Sequence, residues 1–162
     1  MRIKIHWIEK KPNGGALGIM ARPRGDDWLE DEIVQLKQSG VQVIVSLLER
    51  HEIEELGLKN EENFCFRHDL HFIHFPIKDR GLPQDLKKVN ELIDECRELR
   101  TQGKSIVVHC RMGIGRSSII AGAVLLEKGG SVKQMLEKIS EVRGLKVPDT
   151  EEQVNWLTQF EK

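Results

Sequence analysis

Residues 105–118 read Ser105-Ile106-Val107-Val108-His109-Cys110-Arg111-Met112-Gly113-Ile114-Gly115-Arg116-Ser117-Ser118. Ile106, Val107 and Val108 make a short β-branched run of the kind found in a strand buried on both faces. Two glycines follow within a tight loop, and from Arg116 a helical stretch runs to Lys128, where Gly129-Gly130 ends it. A loop between strand and helix can turn successive backbone N–H groups inward as an anion-binding nest, and the helix N-terminus adds positive potential at the same place. Gly113 and Gly115 supply the backbone freedom and close approach this needs. Cys110 sits at the floor of that nest, and Arg116 follows six positions later, at the turn into the helix.

The elements around this loop alternate in type. Lys4–Ile8 and Ala16–Met20 read as short strands about the Pro12-Asn13-Gly14-Gly15 turn. Asp26 or Asp27 caps an expected helix to about Ser39, with Leu29, Ile33, Val34 and Leu36 on its apolar face and Gly40 as its stop. Val41–Val45 is a β-branched strand, His51–Leu56 a short helix and His71–Phe75 a further strand closed by Pro76. After Pro83, Leu86, Val89, Leu92, Ile93, Cys96 and Leu99 recur at helical spacing until Gly103. Ser131-x-x-Gln134 and Thr150-x-x-Gln153 have the form of capping boxes that open two last helices, the first ending near Arg143. Strands alternating with helices predict an α/β fold, a single domain over residues 1–162 whose central, mostly parallel sheet is flanked by helices. Ligands of such sheets bind beyond the carboxyl ends of the strands, which is where Cys110 falls.

Composition narrows the function. Hydrophobic residues make up 39% and charged residues 31%, the balance of a globular chain, and 25 basic side chains against 26 acidic ones argue against nucleic acid as a partner. No apolar run is long enough for a membrane span, and Met1–Trp7 lacks the features of a signal peptide, so no membrane association and a cytoplasmic address are expected. The three cysteines, Cys65, Cys96 and Cys110, include no Cys-x-x-Cys pair, which argues against a disulfide framework or a cysteine-built zinc site. No cofactor and no metal are expected, and a monomer is the default.

A free thiol near its reference pKa of about 8.5 is only about 3% thiolate at pH 7, and a helix N-terminus with nearby cations favours the ionised form. A planar guanidinium can hold two oxygens of a phosphoryl group, where lysine offers a point charge. A lone cysteine after a strand is ordinarily an inert buried side chain. The cysteine, the arginine, the two glycines and the strand–helix setting together point instead to a thiolate that attacks phosphorus.

His109-Cys110-x5-Arg116-Ser117 resembles the signature of the protein tyrosine phosphatase superfamily, and the chain is most similar to its small, atypical dual-specificity members from about Trp7 to Phe160. The resemblance implies a phosphocysteine intermediate on Cys110. It implies phosphate binding by backbone amides from Arg111 through Met112, Gly113, Ile114 and Gly115 to Arg116. It implies that Ser117 hydrogen-bonds the sulfur and that His109 orders the loop rather than acting as a base. A general acid is also needed for the leaving oxygen. Asp79, on the Phe75–Pro83 loop 31 residues before Cys110, matches the family's acid loop, although taken alone it reads rather as a turn aspartate or a solvated loop charge. Gln153 matches a family glutamine that orients water in the second step, and it is also the third helical residue of the Thr150 capping box.

The implied function is hydrolysis of phosphotyrosine in a phosphorylated protein. The chain contains no tyrosine, so the aromatic lip that deepens a tyrosine-specific pocket is missing in that form, and phosphoserine or phosphothreonine would also fit. Met112 and Ile114 are apolar where phosphoinositide-cleaving relatives place lysines, which sets a non-protein phosphomonoester second. A phosphate-dependent binding module without turnover, a sulfurtransferase and an arsenate reductase are weaker alternatives. Outside the loop, Arg22 and Arg24 flank Pro23 and read as solvated charges or as a greeting for an anionic substrate. Glu49, Glu52, Glu54 and Glu55 read as a solvated helix face. His68, His71 and His74 do not form a recognised ligand spacing. Cys96 reads as core, and a protective disulfide between Cys65 and Cys110 is conceivable under oxidation.

Overall fold

The computed structural model describes residues 3–161. β1 (His6–Glu9) and β2 (Leu17–Met20) form an antiparallel pair. A short 3₁₀ turn at Asp26–Trp28 leads into α1 (Leu29–Gln38), then β3 (Val43–Ser46), α2 (Arg50–Glu55), α3 (Glu61–Arg67) and β4 (His71–His74). α4 (Leu86–Thr101), β5 (Ile106–His109), α5 (Arg116–Leu125), α6 (Val132–Arg143) and α7 (Glu151–Leu157) complete the chain. The five strands form one sheet in the order β1-β2-β5-β3-β4, parallel except at β1. This is the expected α/β architecture with a mostly parallel sheet.

β5 lies in the middle of the sheet, and all four of its residues are buried. Alternation along the strands divides the core into two. Ile19, Val45 and Val108 face a core shared with α4, α5 and α6, whereas Met20, Ile44 and Val107 face one shared with α1 and α3. α5 is buried at all ten positions, which its near-continuous apolar sequence after Ser118 demands. Its N-terminus therefore starts inside the molecule, at the carboxyl end of β5.

Several boundaries differ from the sequence reading by one or two residues, because pairing partners and not β-branching decide where a strand begins. Val41 and Gln42 precede β3, and Ile5 precedes β1. The Asp26/Asp27 cap is replaced by the 3₁₀ turn, with no side-chain cap on α1. Leu86, the first residue of α4, is exposed, and Val34 is half-buried while Glu32 takes the inward position. α3 was not expected from periodicity. It is short, and only Glu61 and Cys65 on it are buried. Ser131 caps α6 by accepting from the Gln134 N–H, and Thr150 with Gln153 forms a reciprocal capping box.

Candidate active site

The loop from Cys110 to Arg116 curls at the carboxyl end of β5. Its carbonyls are drawn outward by groups around it. The Arg143 guanidinium donates to the carbonyls of Gly113 (3.0 Å) and Met112 (3.0 Å). The Arg22 N–H donates to Arg111 O (3.3 Å), and the His109 ring meets Cys110 O at 3.3 Å. Among the described residues no acceptor is found for the N–H groups of Arg111 to Gly115, so these donors remain for an anion. Gly113 has φ +71°, and a Cβ there would lie 2.6 Å from the Met20 carbonyl carbon, so only glycine lets the loop pass against β2. Gly115 carries the carboxylate of the exposed Asp149 against its Cα, and a Cβ would collide with it.

Cys110 is buried, with its Sγ 3.4 Å from Ser117 Oγ in the first turn of α5. Behind it, His109 and Glu61 form a fully enclosed pair, Nε2 to Oε2 at 2.7 Å, that ties α3 to the root of the loop. Cys65 belongs to the core on the opposite face of the sheet from the one that contains Cys110. Burial pushes the Cys65 thiol far up and the Cys96 thiol up to about 12, so both behave as packed side chains.

Arg116 is 2% exposed and held on several sides. Its Nη1 donates to Glu52 Oε1 (2.7 Å), Ile77 O (2.8 Å) and Leu47 O (3.4 Å); its Nη2 donates to Glu52 Oε2 (3.0 Å) and to Asp79 Oδ1 (3.2 Å). Burial works against the charge of Arg116, but the Glu52 hydrogen bond and the facing Cys110 more than restore it, and the guanidinium is held more firmly protonated than usual. Burial likewise works against the Glu52 carboxylate, yet hydrogen bonds from Arg116 and the Glu49 N–H hold it below the ordinary value. Glu52 is 1% exposed, which corrects the solvated reading of this residue. α2 turns it inward while Glu54 and Glu55 face water.

Asp79 is exposed on the loop after β4, at the rim of the cup. The loop is fixed on either side of it by Ile77 N–H to Leu47 O (3.0 Å) and Gly81 N–H to Lys78 O (2.7 Å). Gln153 is buried. Its Oε1 accepts from the N–H groups of Asp149 (3.0 Å) and Thr150 (3.2 Å), and its Nε2 donates to Gly81 O (3.2 Å), so α7 is joined to the Asp79 loop. Arg111 turns its guanidinium back to Glu55 (3.2 Å), and Met112 projects from the rim, 59% exposed. Cys110, Arg116, Ser117 and Asp79 thus converge. Glu52, Glu61 and Arg143 support them, and neither Glu52 nor Glu61 lies in a motif that sequence could single out. His68, His71 and His74 have separate partners in Glu30, Glu95 and Leu48 O, and no metal-holding cluster occurs among the described residues.

A Cys-x5-Arg loop opening on the middle strand of this sheet, with α5 rising from it, defines the protein-tyrosine-phosphatase class of fold. The family described as "Polymorphic toxin system, DSP-PTPase phosphatase" matches residues 18–130, and the chain belongs to it. Cyclin-dependent kinase inhibitor 3 of Rattus norvegicus is 27% identical over 134 residues, which cover 82% of this chain and 63% of the relative; the chain therefore spans under two thirds of such curated relatives. Kinase associated phosphatase, solved with its catalytic-site cysteine replaced by serine, superposes with a TM-score of 0.89 at 24% identity, over 99% of this chain and 94% of that one. Tk-PTP in its active form gives 0.79 at 23% identity, over 97% and 95%. Together these establish the phosphatase fold. No helix among the described residues is long and apolar enough to cross a membrane.

Proposed function

We propose that the chain hydrolyses phosphotyrosine in a phosphorylated protein, with phosphoserine and phosphothreonine also accepted, through a phosphocysteine intermediate. The observation that carries this is the Cys110–Arg116 loop itself: its N–H groups from Arg111 to Gly115 have no acceptor among the described residues, Cys110 Sγ lies against Ser117 Oγ, and the Arg116 guanidinium is buried and fixed by Glu52. The Cys110 thiolate attacks phosphorus. As the S–P bond forms and the P–O bond breaks, Asp79 delivers a proton to the leaving oxygen. Water then attacks phosphorus, its proton passes to the Asp79 carboxylate, the P–S bond breaks, and Ser117 O–H stabilises the departing thiolate.

For Arg116 to hold phosphate oxygens through Nη2, its contact with Asp79 has to open, and this frees the carboxyl for the leaving group. Gln153 can orient the water only by giving up Gly81; otherwise it serves as a brace for the acid loop. His109 orders the loop through Glu61. The proposal takes residues 1–162 as one catalytic domain, monomeric and cytoplasmic, with no cofactor, no metal, no nucleic acid and no membrane partner. Exposed Met112 and half-buried Ile114 at the rim favour a peptide over a polyphosphorylated ring.

The deciding experiment is rapid-mixing hydrolysis of an aryl phosphate, with mass detection of the acid-quenched protein. A phosphoryl adduct on Cys110 and its loss in Cys110→Ser are expected. Turnover by Cys110→Ser at the wild-type rate would refute the assignment.

A further inference from the structure

The cup binds an anion only if its amides point inward. In a planar trans peptide the C=O and the following N–H lie on opposite sides, so a carbonyl drawn outward turns the next N–H toward the centre. Arg143 draws out Met112 O and Gly113 O, and so aims the N–H groups of Gly113 and Ile114. The Met112 N–H is aimed by a different element, because Arg111 O accepts from the Arg22 N–H (3.3 Å). Arg22 belongs to residues 21–25, a strap that leaves the end of β2 alongside the signature loop. Gly113 packs against the first peptide of this strap, Met20–Ala21. The far end is tied to the segment after α2 by the Asp26 N–H to Gly57 O (2.9 Å).

Between these ends a side chain of α1 holds the strap. Glu32 is 2% exposed and accepts through Oε1 from both the backbone N–H (2.8 Å) and Nε (3.0 Å) of Arg24. The Arg24 guanidinium lies over the Trp28 ring at 4.4 Å, so carboxylate, strap and the turn that opens α1 form one unit. Four cations, Lys4, Arg22, Arg24 and Arg143, line the groove around Glu32, yet among the described residues Arg24 alone bonds it, and Glu32 Oε2 has no partner. A buried carboxylate oxygen without a donor is destabilising. The packing of α1 does not call for it, since the other inward positions are Leu29, Ile33 and Leu36. An apolar residue would fill the same face without that cost. What it could not supply is the acceptor for Arg24.

We infer that Glu32 is a positioning residue for the reaction: by fixing the strap from α1 it keeps the Arg22 N–H on Arg111 O, and so keeps the Met112 N–H turned into the cup. The inference rests on the phosphatase reading and adds to it a residue that touches neither the substrate nor the sulfur. Donors already aimed at the anion need no reorganisation when it arrives, which is where such a brace acts. Without Glu32 the strap loses its hold between β2 and Gly57, the Arg111–Met112 peptide is free to rotate, and the cup loses one of its donors.

The test is calorimetric titration of the full chain with tungstate, a tetrahedral oxyanion whose binding needs no turnover. Glu32→Gln keeps an oxygen acceptor at the same reach and should bind tungstate within about 3-fold of wild type. Glu32→Leu is similar in size but has no acceptor, and should bind about 10-fold more weakly. In the same variant the pH midpoint of Cys110 alkylation by iodoacetamide should rise by about one unit, because the amides that hold the oxyanion also favour the thiolate. A role in packing alone would lower the melting temperature of Glu32→Leu and move neither readout. Wild-type affinity in a folded Glu32→Leu would therefore overturn the inference, and so would equal losses in the Leu and Gln variants. Should Glu32→Leu not fold, Arg22→Pro is compared with Arg22→Gln: both lack the cation, and only the proline lacks the N–H. A gap of about 10-fold in tungstate affinity is expected between them, and equality would refute the strap. Aryl phosphate turnover is measured alongside. Its absence in a wild type that binds tungstate would sink the phosphatase reading and leave the strap to be judged by the titrations, whereas a wild type that binds no tungstate would sink both.

Discussion

Arg116 is gripped by two carboxylates that meet at its Nη2, and they differ in burial, geometry and setting. Glu52 is sealed beneath the loop on α2, meets both Nη atoms at 2.7 and 3.0 Å, and is 1% exposed. Asp79 reaches Nη2 at 3.2 Å from a loop in water, with a side chain 55% exposed. A buried ion pair is costly to assemble, but once assembled it cannot be broken cheaply, because either partner alone would be a desolvated charge. An exposed pair is worth at most about 1 kcal/mol and opens readily. The arginine is therefore aimed by a fixed partner and guarded by a removable one. In the proposed mechanism a phosphate replaces the second without disturbing the first.

That contrast can be broken in graded ways. Replacing the shared partner should cost most: Arg116→Lys keeps the charge but loses the fork, and kcat/KM for an aryl phosphate is expected to fall by about 10⁴-fold, or about 5 kcal/mol. Retention of more than a tenth of activity would deny the clamp. Glu52→Gln should act chiefly on the fold, lowering stability in denaturant titration by about 3 kcal/mol, because Arg116 then loses its buried counter-charge. An unchanged midpoint would mean that the pair is not closed in solution. Asp79→Asn should leave that midpoint within about 1 kcal/mol. The same variant should slow phenyl phosphate about 10²-fold, and substrates with good leaving groups much less. Equal slowing across leaving groups would remove Asp79 as the acid.

The smallest effect is in pH. The Glu52 carboxyl is held below its ordinary value of 4.5, so its contribution is complete above that value and is lost as pH falls through the lower, folded value. On acidification below about pH 4.5 the wild-type melting temperature should therefore drop more steeply than that of Glu52→Gln. Parallel curves would count against the depressed carboxyl.

Asp79 and Glu52 also mark how far the sequence can be read. Asp79 stands out in the sequence as a candidate because it sits in a loop framed by Pro76, Gly81 and Pro83, between a strand and a long helix, and the structure brings it to Arg116. Glu52 shares a six-residue helix with Glu54 and Glu55, and Glu49 stands just before it. Nothing in that stretch distinguishes the one that turns inward, and the distinction arises only because Arg116 arrives from 64 residues away. Glu61, the partner of His109, repeats the case, and α3 itself is too short to announce its own periodicity.

Local chemistry thus determined the strand, the glycine turn, the helix start and the Cys110–Arg116 spacing, because backbone freedom, helix dipoles and β-branching act within a dozen residues of one another. Those terms sufficed for the α/β order and for placing the Cys110–Arg116 loop between β5 and α5. The tertiary structure alone decided which carboxylate is buried beneath the arginine, which carboxylate pairs with His109 at the root of the loop, and that four cations from distant stretches share one groove beside it. Desolvation and Coulomb energy depend on distances between segments, and no spacing along the chain encodes them.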